Sequence, residues 1–235
     1  MVGFSFLPAP VVKLVLFDID GTLIRTGGAG MRAFERTVAV AFEVPNGISH
    51  LTFAGRTDTS LVREFFGGHG IAATPEHFHR FFEHYVFLLD YLLPQHIGAV
   101  CPGVPEFLDG LRALSPAPLV GLQTGNIRLG AEIKLRHYGL WHRFEIGGFG
   151  DDHEDRRELT RIARDRAGRH FQGGLAPEEV LVVGDTPHDI DCARALGARV
   201  LAVTTGGASA EELAAHDPTW LVPDLTAISA AAVAG

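Results

Sequence analysis

The sequence predicts an α/β protein with a doubly wound parallel sheet and an inserted α-helical subdomain. The first observation is a set of short apolar segments that end in Gly, Asp or Thr: KLVLFDID (13–20), PLVGLQTGN (118–126), FEIGGFGDD (144–152), VLVVGDTPHD (180–189) and RVLAVTTGG (199–207). Each is apolar on both faces, as buried parallel strands require. The second is that helical patterns alternate with these strands, which predicts right-handed crossovers. The third is an all-helical stretch that interrupts the alternation.

The helical stretch covers residues 28–98 and is predicted to be an inserted domain. The flanking segments, 11–27 and 99–235, are then the α/β core domain, and residues 1–10 are an N-terminal extension. Within the core, the spacing of apolar residues predicts helices over 103–115, 129–140, 157–168 and 186–198. Gly197 is expected to end the last of them.

Composition excludes several function classes. The chain has 235 residues, 46% of them hydrophobic, and a formal net charge of -8. This balance argues against nucleic-acid binding, which usually needs a basic face. No apolar run approaches the roughly 18 residues of a membrane span. The two cysteines form no motif and no signal-peptide pattern begins the sequence, so a cytoplasmic protein with reduced thiols is expected.

Polar side chains follow the predicted strands at the sheet edge where ligands of parallel sheets bind. The first strand ends in Asp18 and Asp20, and the second leads into Thr124. The fourth leads into Asp185 and Asp189. Carboxylates suit a hard divalent cation such as Mg²⁺, and the arginines after the third strand suit a phosphate. This combination indicates metal-assisted phosphoryl transfer.

Three segments carry a resemblance to a known family. DIDGTL (18–23) looks like the first motif of the haloacid dehalogenase superfamily, QTGN (123–126) like its second, and GDTPHDIDCARALGA (184–198) like its fourth. The helical insert resembles the cap of the phosphoglycolate phosphatase and β-phosphoglucomutase branch. The resemblance spans about residues 11–230 and implies a Rossmann-like core with residues 28–98 as its helical cap.

The resemblance also implies roles for individual residues. Asp18 would be the nucleophile that forms an aspartyl-phosphate, and Asp20 the general acid and then the base. Thr124 would bind the phosphoryl group. Mg²⁺ would be held by Asp18, by the backbone carbonyl of Asp20 and by Asp185, with Asp189 holding a metal-bound water.

The third motif departs from the family, which usually has Lys followed by Pro. Here the candidates are Arg156 and Arg157, and Arg156 is favoured because Arg157 is expected to face solvent. An arginine keeps the positive charge and adds a fork of donors.

Four residues are predicted to bind substrate. Gly125 and Asn126 follow Thr124 in the second motif. Arg56 and Thr57 belong to the segment AGRTDTS of the insert, which resembles the substrate-facing loop of the family's caps. The alternative for Thr57 is an N-cap of the helix that follows.

The implied function is a Mg²⁺-dependent phosphatase that acts on a small phosphorylated metabolite. A phosphomutase of the β-phosphoglucomutase type is the main alternative, since it would use the same acids. A haloacid dehalogenase is disfavoured because that chemistry needs no acid at Asp20. A non-catalytic phospho-acceptor such as a receiver domain is disfavoured by the length of the chain. A monomer or homodimer is expected, without nucleic-acid or membrane partners.

Overall fold

The structure is a computed structural model that describes residues 11–234; the predicted N-terminal extension, residues 1–10, lies outside them. The strands are β1 (Leu14–Phe17), β2 (Ile24–Arg25), β3 (Ala99–Val100), β4 (Leu119–Gln123), β5 (Ile146–Gly148), β6 (Val180–Gly184), β7 (Arg199–Val203) and β8 (Trp220–Val222). The α-helices are α1 (Ala29–Phe42), α2 (Asp58–Gly68), α3 (Pro75–Leu92), α4 (Val104–Ala113), α5 (Arg128–His137), α6 (Arg156–Gly168), α7 (Pro187–Leu196), α8 (Ala210–Ala214) and α9 (Ala230–Ala234).

The main sheet is parallel, with the strand order β5-β4-β1-β6-β7-β8. Strand β1 is central, with β4 on one side and β6 on the other. The connections therefore run in opposite directions from β1, which makes its carboxyl end a topological switch point where ligands of such sheets bind. The predicted α/β architecture is confirmed.

Strand β1 is buried on both faces, as its continuous apolar sequence predicts. Val15 and Phe17 pack into a cluster on one side of the sheet, and Leu14 and Leu16 into a cluster on the other. This packing fixes the position of β1, and Asp18 follows directly at the carboxyl end of that strand.

Helices α1, α2 and α3 pack around an apolar cluster of their own, which includes Phe34, Phe65 and Phe81. Ile127 of the core also packs into that cluster. The stretch begins after β2 and ends before β3, and these two short strands pair antiparallel. We call residues 28–98 the cap; the division into separate domains stays a prediction.

Along residues 11–234, no helix is both long and apolar enough to cross a bilayer. Most predicted helices lie where the apolar spacing placed them, and Gly197 ends α7 in the left-handed conformation with φ 76°. Helix α6 begins at Arg156, one residue earlier than the apolar pattern indicated.

Candidate active site

Three carboxylates meet at the carboxyl ends of β1 and β6. Asp18 follows β1, Asp185 follows β6, and Asp189 lies in the first turn of α7. One oxygen from each lies within 4.8 Å of the others, and all three residues are buried. The structure therefore brings together three of the four predicted metal ligands. The fourth, Asp20, is predicted to contribute its backbone carbonyl and lies two residues beyond Asp18.

Burial makes this acidic cluster costly without a cation. Loss of solvent raises the pKa of Asp18 to about 7; Arg156 counteracts the rise, and Asp189 and Asp20 add to it. Desolvation likewise raises the pKa of Asp185 to about 8, reinforced by Asp18 and Asp189. A cation among these carboxylates would offset both effects, and oxygen atoms are the ligands that hard divalent cations prefer. The donor set therefore fits a divalent metal ion.

Hydroxyl groups hold two of these carboxylates in place. Thr22 Oγ1 donates to Asp185 Oδ1 at 2.8 Å. The backbone nitrogen and Oγ1 of Thr186, the N-cap of α7, donate to Asp189 Oδ2 at 3.0 and 2.6 Å. The helix start that caps α7 thus also orients a member of the acidic cluster.

Arg156 lies against the same cluster. Its Nη2 is 2.8 Å from Asp18 Oδ1 and 2.6 Å from Asp189 Oδ1. Its Nε is buried and has no hydrogen-bond partner within the described residues. Arg157 is exposed and pairs with Asp155 at 2.8 Å. The geometry places the favoured arginine at the site and its neighbour in solvent.

The second motif forms the turn after β4. Thr124 is buried, and its Oγ1 accepts from the backbone nitrogen of Asn126 at 3.2 Å and from Asn126 Nδ2 at 2.9 Å. Thr124, Gly125 and Asn126 all line the cavity described below. They are therefore placed where a bound phosphoryl group would need donors.

Asp20 has side-chain partners that the acidic cluster does not share. Asn126 Nδ2 and Lys134 Nζ donate to its Oδ2 at 2.8 and 2.7 Å. Lys134 comes from α5 and is buried, whereas about 41% of the Asp20 side chain is exposed. The two neighbouring acids of the first motif thus have different cationic partners.

The two predicted cap residues differ in position. Arg56 lines the cavity, and its guanidinium pairs with Glu64 at 2.9 Å. Thr57 does not line it: its Oγ1 donates to the backbone oxygen of Glu154 and accepts from the backbone nitrogen of Ser60. Thr57 is the N-cap of α2, which agrees with the alternative reading, so nothing in this geometry supports its contact with substrate.

A cavity of about 830 Å³ lies between the cap and the core. Asp18, Asp20, Asp185 and Arg156 are at its floor on the core side. Cap side chains form an apolar wall on the other side, comprising Met31, Phe34, Phe53, Leu61 and Tyr85. His188, which lies at the start of α7 after β6, also lines the cavity. The acids therefore open into a chamber large enough for a small metabolite.

Sequence reasoning missed Lys134 and Thr22. Lys134 belongs to the buried face of α5 together with Ala131 and Leu135. A lysine on an otherwise apolar stripe was a readable signal that its charge has a buried partner. Thr22 had no comparable signal, because hydroxyls are common in turns.

Comparisons with known proteins agree with this geometry. A family model described as haloacid dehalogenase-like hydrolase matches residues 15–203. A phosphoglycolate phosphatase from Pseudomonas putida is 26% identical over 233 residues, which are 97% of this chain and 83% of the relative. The probable phosphatase IndB from Dickeya dadantii is 28% identical over 229 residues, 93% of each protein.

A solved structure shares the fold. The crystal structure of CbbY from Rhodobacter sphaeroides in complex with phosphate superposes with a TM-score of 0.72 at 16% identity, covering 94% of this chain and 99% of that one. At this identity the likeness concerns the fold alone.

Proposed function

This chain belongs to the haloacid dehalogenase-like hydrolases and is a phosphatase of that family, and from this premise we propose that it hydrolyses a small phosphomonoester through a phosphoaspartate on Asp18. The proposal is carried by one observation. Asp18, Asp185 and Arg156 line the floor of the cavity at the switch point of the sheet, and Asp189 lies buried next to them.

Asp18 is the proposed nucleophile. One of its carboxylate oxygens attacks phosphorus, so that a new P–O bond forms and the bond to the leaving alcohol oxygen breaks. Arg156 lies beside this carboxylate and lines the cavity, so its positive charge is placed to stabilise the phosphoryl group. Thr124 supplies a hydroxyl on the neighbouring turn. Positioning and charge neutralisation of this kind are what phosphoryl transfer requires.

Asp20 is the proposed general acid and base. In its protonated form it gives a proton to the leaving alkoxide. The resulting carboxylate then takes a proton from the water that attacks the phosphoaspartate. This second step releases inorganic phosphate and returns both carboxyl groups to their starting states.

The proposed metal ion is Mg²⁺, held by Asp18, the backbone carbonyl of Asp20 and Asp185, with Asp189 acting through a water molecule. When bound, the cation supplies positive charge that offsets the charge of the phosphoryl group and of the carboxylates. The buried, mutually repelling carboxylates described above support this assignment.

The proposed substrate is a small phosphorylated metabolite. Relatives named phosphoglycolate phosphatase support this class, and a cavity of about 830 Å³ between cap and core suits a small molecule better than a protein. The interior is lined by the cap, which would exclude bulk water during the reaction.

A phosphate-release screen over phosphorylated metabolites, including phosphoglycolate and hexose phosphates, tests the proposal. We expect the wild type to release inorganic phosphate continuously from at least one monoester. Asp18→Asn should release none while keeping the circular dichroism spectrum of the wild type. A variant as active as the wild type would remove Asp18 from the nucleophile's role. Interconversion of sugar phosphates without phosphate release would identify a phosphomutase instead.

A further inference from the structure

Both side-chain donors that reach the Asp20 carboxylate end on the same oxygen. Asn126 Nδ2 and Lys134 Nζ donate to Oδ2 at 2.8 and 2.7 Å. Within residues 11–234, no hydrogen bond reaches Oδ1. Asp20 also lines the cavity, so its carboxylate is tied down through one oxygen and has the other available to a ligand.

Lys134 is fixed more firmly than the acid it holds. Its side chain is about 5% exposed, and its Nζ also donates to Asn126 Oδ1 at 2.6 Å. Asn126 Nδ2 in turn reaches Thr124 Oγ1 at 2.9 Å. Burying an ammonium group costs several kcal/mol unless it is paired and hydrogen-bonded, so its position is specified by these partners.

Each acid of the first motif contacts a different buried cationic side chain. Arg156 contacts Asp18 and Asp189, whereas the contacts of Lys134 are to Asp20 and Asn126. Arg156 is therefore placed to act on the phosphoryl group, and Lys134 on the side chain that exchanges a proton.

We propose that Lys134, together with Asn126, is a positioning residue that holds the Asp20 carboxyl in the orientation from which its free oxygen passes a proton to the leaving group. The inference rests on the phosphatase function proposed above. Without Lys134 the Asp20 carboxylate would keep only the hydrogen bond from Asn126, and Asn126 would itself lose the ammonium group that holds its Oδ1. Proton transfer from Asp20 would then lose its alignment.

This role predicts a dependence on the leaving group. An alkoxide leaves only if it receives a proton, whereas nitrophenolate is stable enough to leave without one. Because kcat/KM reports the steps up to release of the first product, Lys134→Met should lower kcat/KM for an alkyl phosphate by about 100-fold. For p-nitrophenyl phosphate we expect kcat/KM to stay within about threefold.

The second half of the reaction gives an independent signature. Water attack on the phosphoaspartate also needs Asp20, so the Lys134→Met enzyme should accumulate the intermediate. A rapid burst of nitrophenolate followed by slow turnover is the expected time course. A substitution that merely loosens the fold would produce no burst.

Matched variants complete the experiment. Lys13 is the other lysine of the chain, half-exposed and paired with Glu179 at 2.6 Å, and Lys13→Met should leave both substrates unaffected. Asp20→Asn should reproduce the contrast between substrates, and adding Lys134→Met to it should cause no further loss, because the two act as one unit. If Lys134→Met does not fold, Lys134→Gln replaces it in the same measurements, because glutamine keeps an N–H donor but removes the charge.

Equal loss on both substrates would overturn the inference, since it would place Lys134 on the phosphoryl group or in the fold. No loss on either substrate would overturn it as well. Neither result touches the proposed function, which stands as long as the wild type hydrolyses monoesters and Asp18→Asn does not.

Discussion

At the scale of single residues, Arg156 and Arg157 are neighbours at the start of α6, but one side chain is buried and the other is exposed. Asp155 caps α6 and pairs with Arg157, whose side chain is about 64% exposed. Arg156 is turned inward and is about 9% exposed. Burial disfavours its charge, but Asp18 and Asp189 outweigh that effect and raise the pKa of the guanidinium above its usual value. Arg156 therefore stays charged beside Asp18, the proposed nucleophile.

Arg156→Ala should lower kcat/KM by at least about 100-fold, as removal of a donor to a developing charge commonly does. Arg157→Ala should change it by less than about twofold, since a surface ion pair contributes little. Steady-state kinetics with phosphate detection would measure both. Because Arg156→Ala also leaves buried carboxylates unpaired, Arg156→Lys should be compared with it, together with the melting temperature of each variant. A larger loss for Arg157→Ala would move the role to that residue.

The acids of this site are the part that sequence reasoning predicts well. Asp18 and Asp185 each follow a strongly apolar strand, so the strand pattern and the rule that ligands bind at carboxyl ends place them together. Lys134 was missed although its place on the buried face of α5 was readable. The sequence does not identify its partner, because the contact with Asp20 joins residues 114 positions apart and depends on how α5 packs in the assembled fold.

At the scale of elements, the start of α2 joins the cap to the loops that carry the second motif. The backbone nitrogen of Asp58 donates to the carbonyl of Gly125 at 2.8 Å, and Asp58 Oδ2 accepts from the nitrogen of Ile127 at 2.9 Å. Thr59 Oγ1 donates to the carbonyl of Gly150 at 2.6 Å. The helix that closes one side of the cavity is thus hydrogen-bonded to the turn that would hold phosphate.

A methyl group added at Gly55 would disturb the contact between the cap and the core. A Cβ there would overlap the ring of His188, and the residue also has φ 69°. Gly70 has nearly the same φ, 66°, but a Cβ there would meet open space. We expect Gly55→Ala and Gly70→Ala each to lose about 1–2 kcal/mol of stability from backbone strain. In addition, Gly55→Ala should lower kcat/KM roughly tenfold or more, because it displaces the cap from the acids.

Thermal melting and kinetics of the two variants would separate strain from displacement. Equal activities of Gly55→Ala and Gly70→Ala would show that the contact with His188 does not control the site.

Long periodic elements were predictable, and short ones were not. Strands β1, β4, β6 and β7 and the core helices α4 to α7 carry apolar patterns of four or more residues, and the three-residue β5 lies within the predicted segment FEIGGFGDD. Strands β2 and β3 have two residues each, and β8 lies at the sheet edge with partly exposed side chains. Too few residues are buried in them to impose a period, so their pairing is decided by tertiary contacts.

At the scale of the whole molecule, the acidic cluster couples metal binding to folding stability. A cation that binds only the folded protein stabilises it by about 2.7 kcal/mol at 100 times its dissociation constant. For a chain of this size we expect Mg²⁺ to raise the melting temperature by roughly 5–10 °C. EDTA should reverse the shift and stop turnover. Asp185→Asn should abolish most of the shift, and activity that persists without any divalent cation would contradict the proposed mechanism.

The cavity between the cap and the core is a property of the whole molecule that the sequence does not reveal. Its apolar wall combines Met31, Phe53 and Tyr85, which come from separate segments of the cap. Their proximity depends on how three helices pack, and apolar residues of this kind are equally expected in the cap interior. The acids indicated the reaction, but the shape that selects a substrate emerges only from the assembled structure.

The pairing of β2 with β3 has a consequence for engineering. Ile24 lies opposite Val100 and Arg25 opposite Ala99, so the chain leaves the core and returns to it through adjacent strands about 5 Å apart. Any segment whose two ends lie that close together satisfies the same connection. An insert of another length could therefore be joined at β2 and β3 without changing the strand order of the parallel sheet.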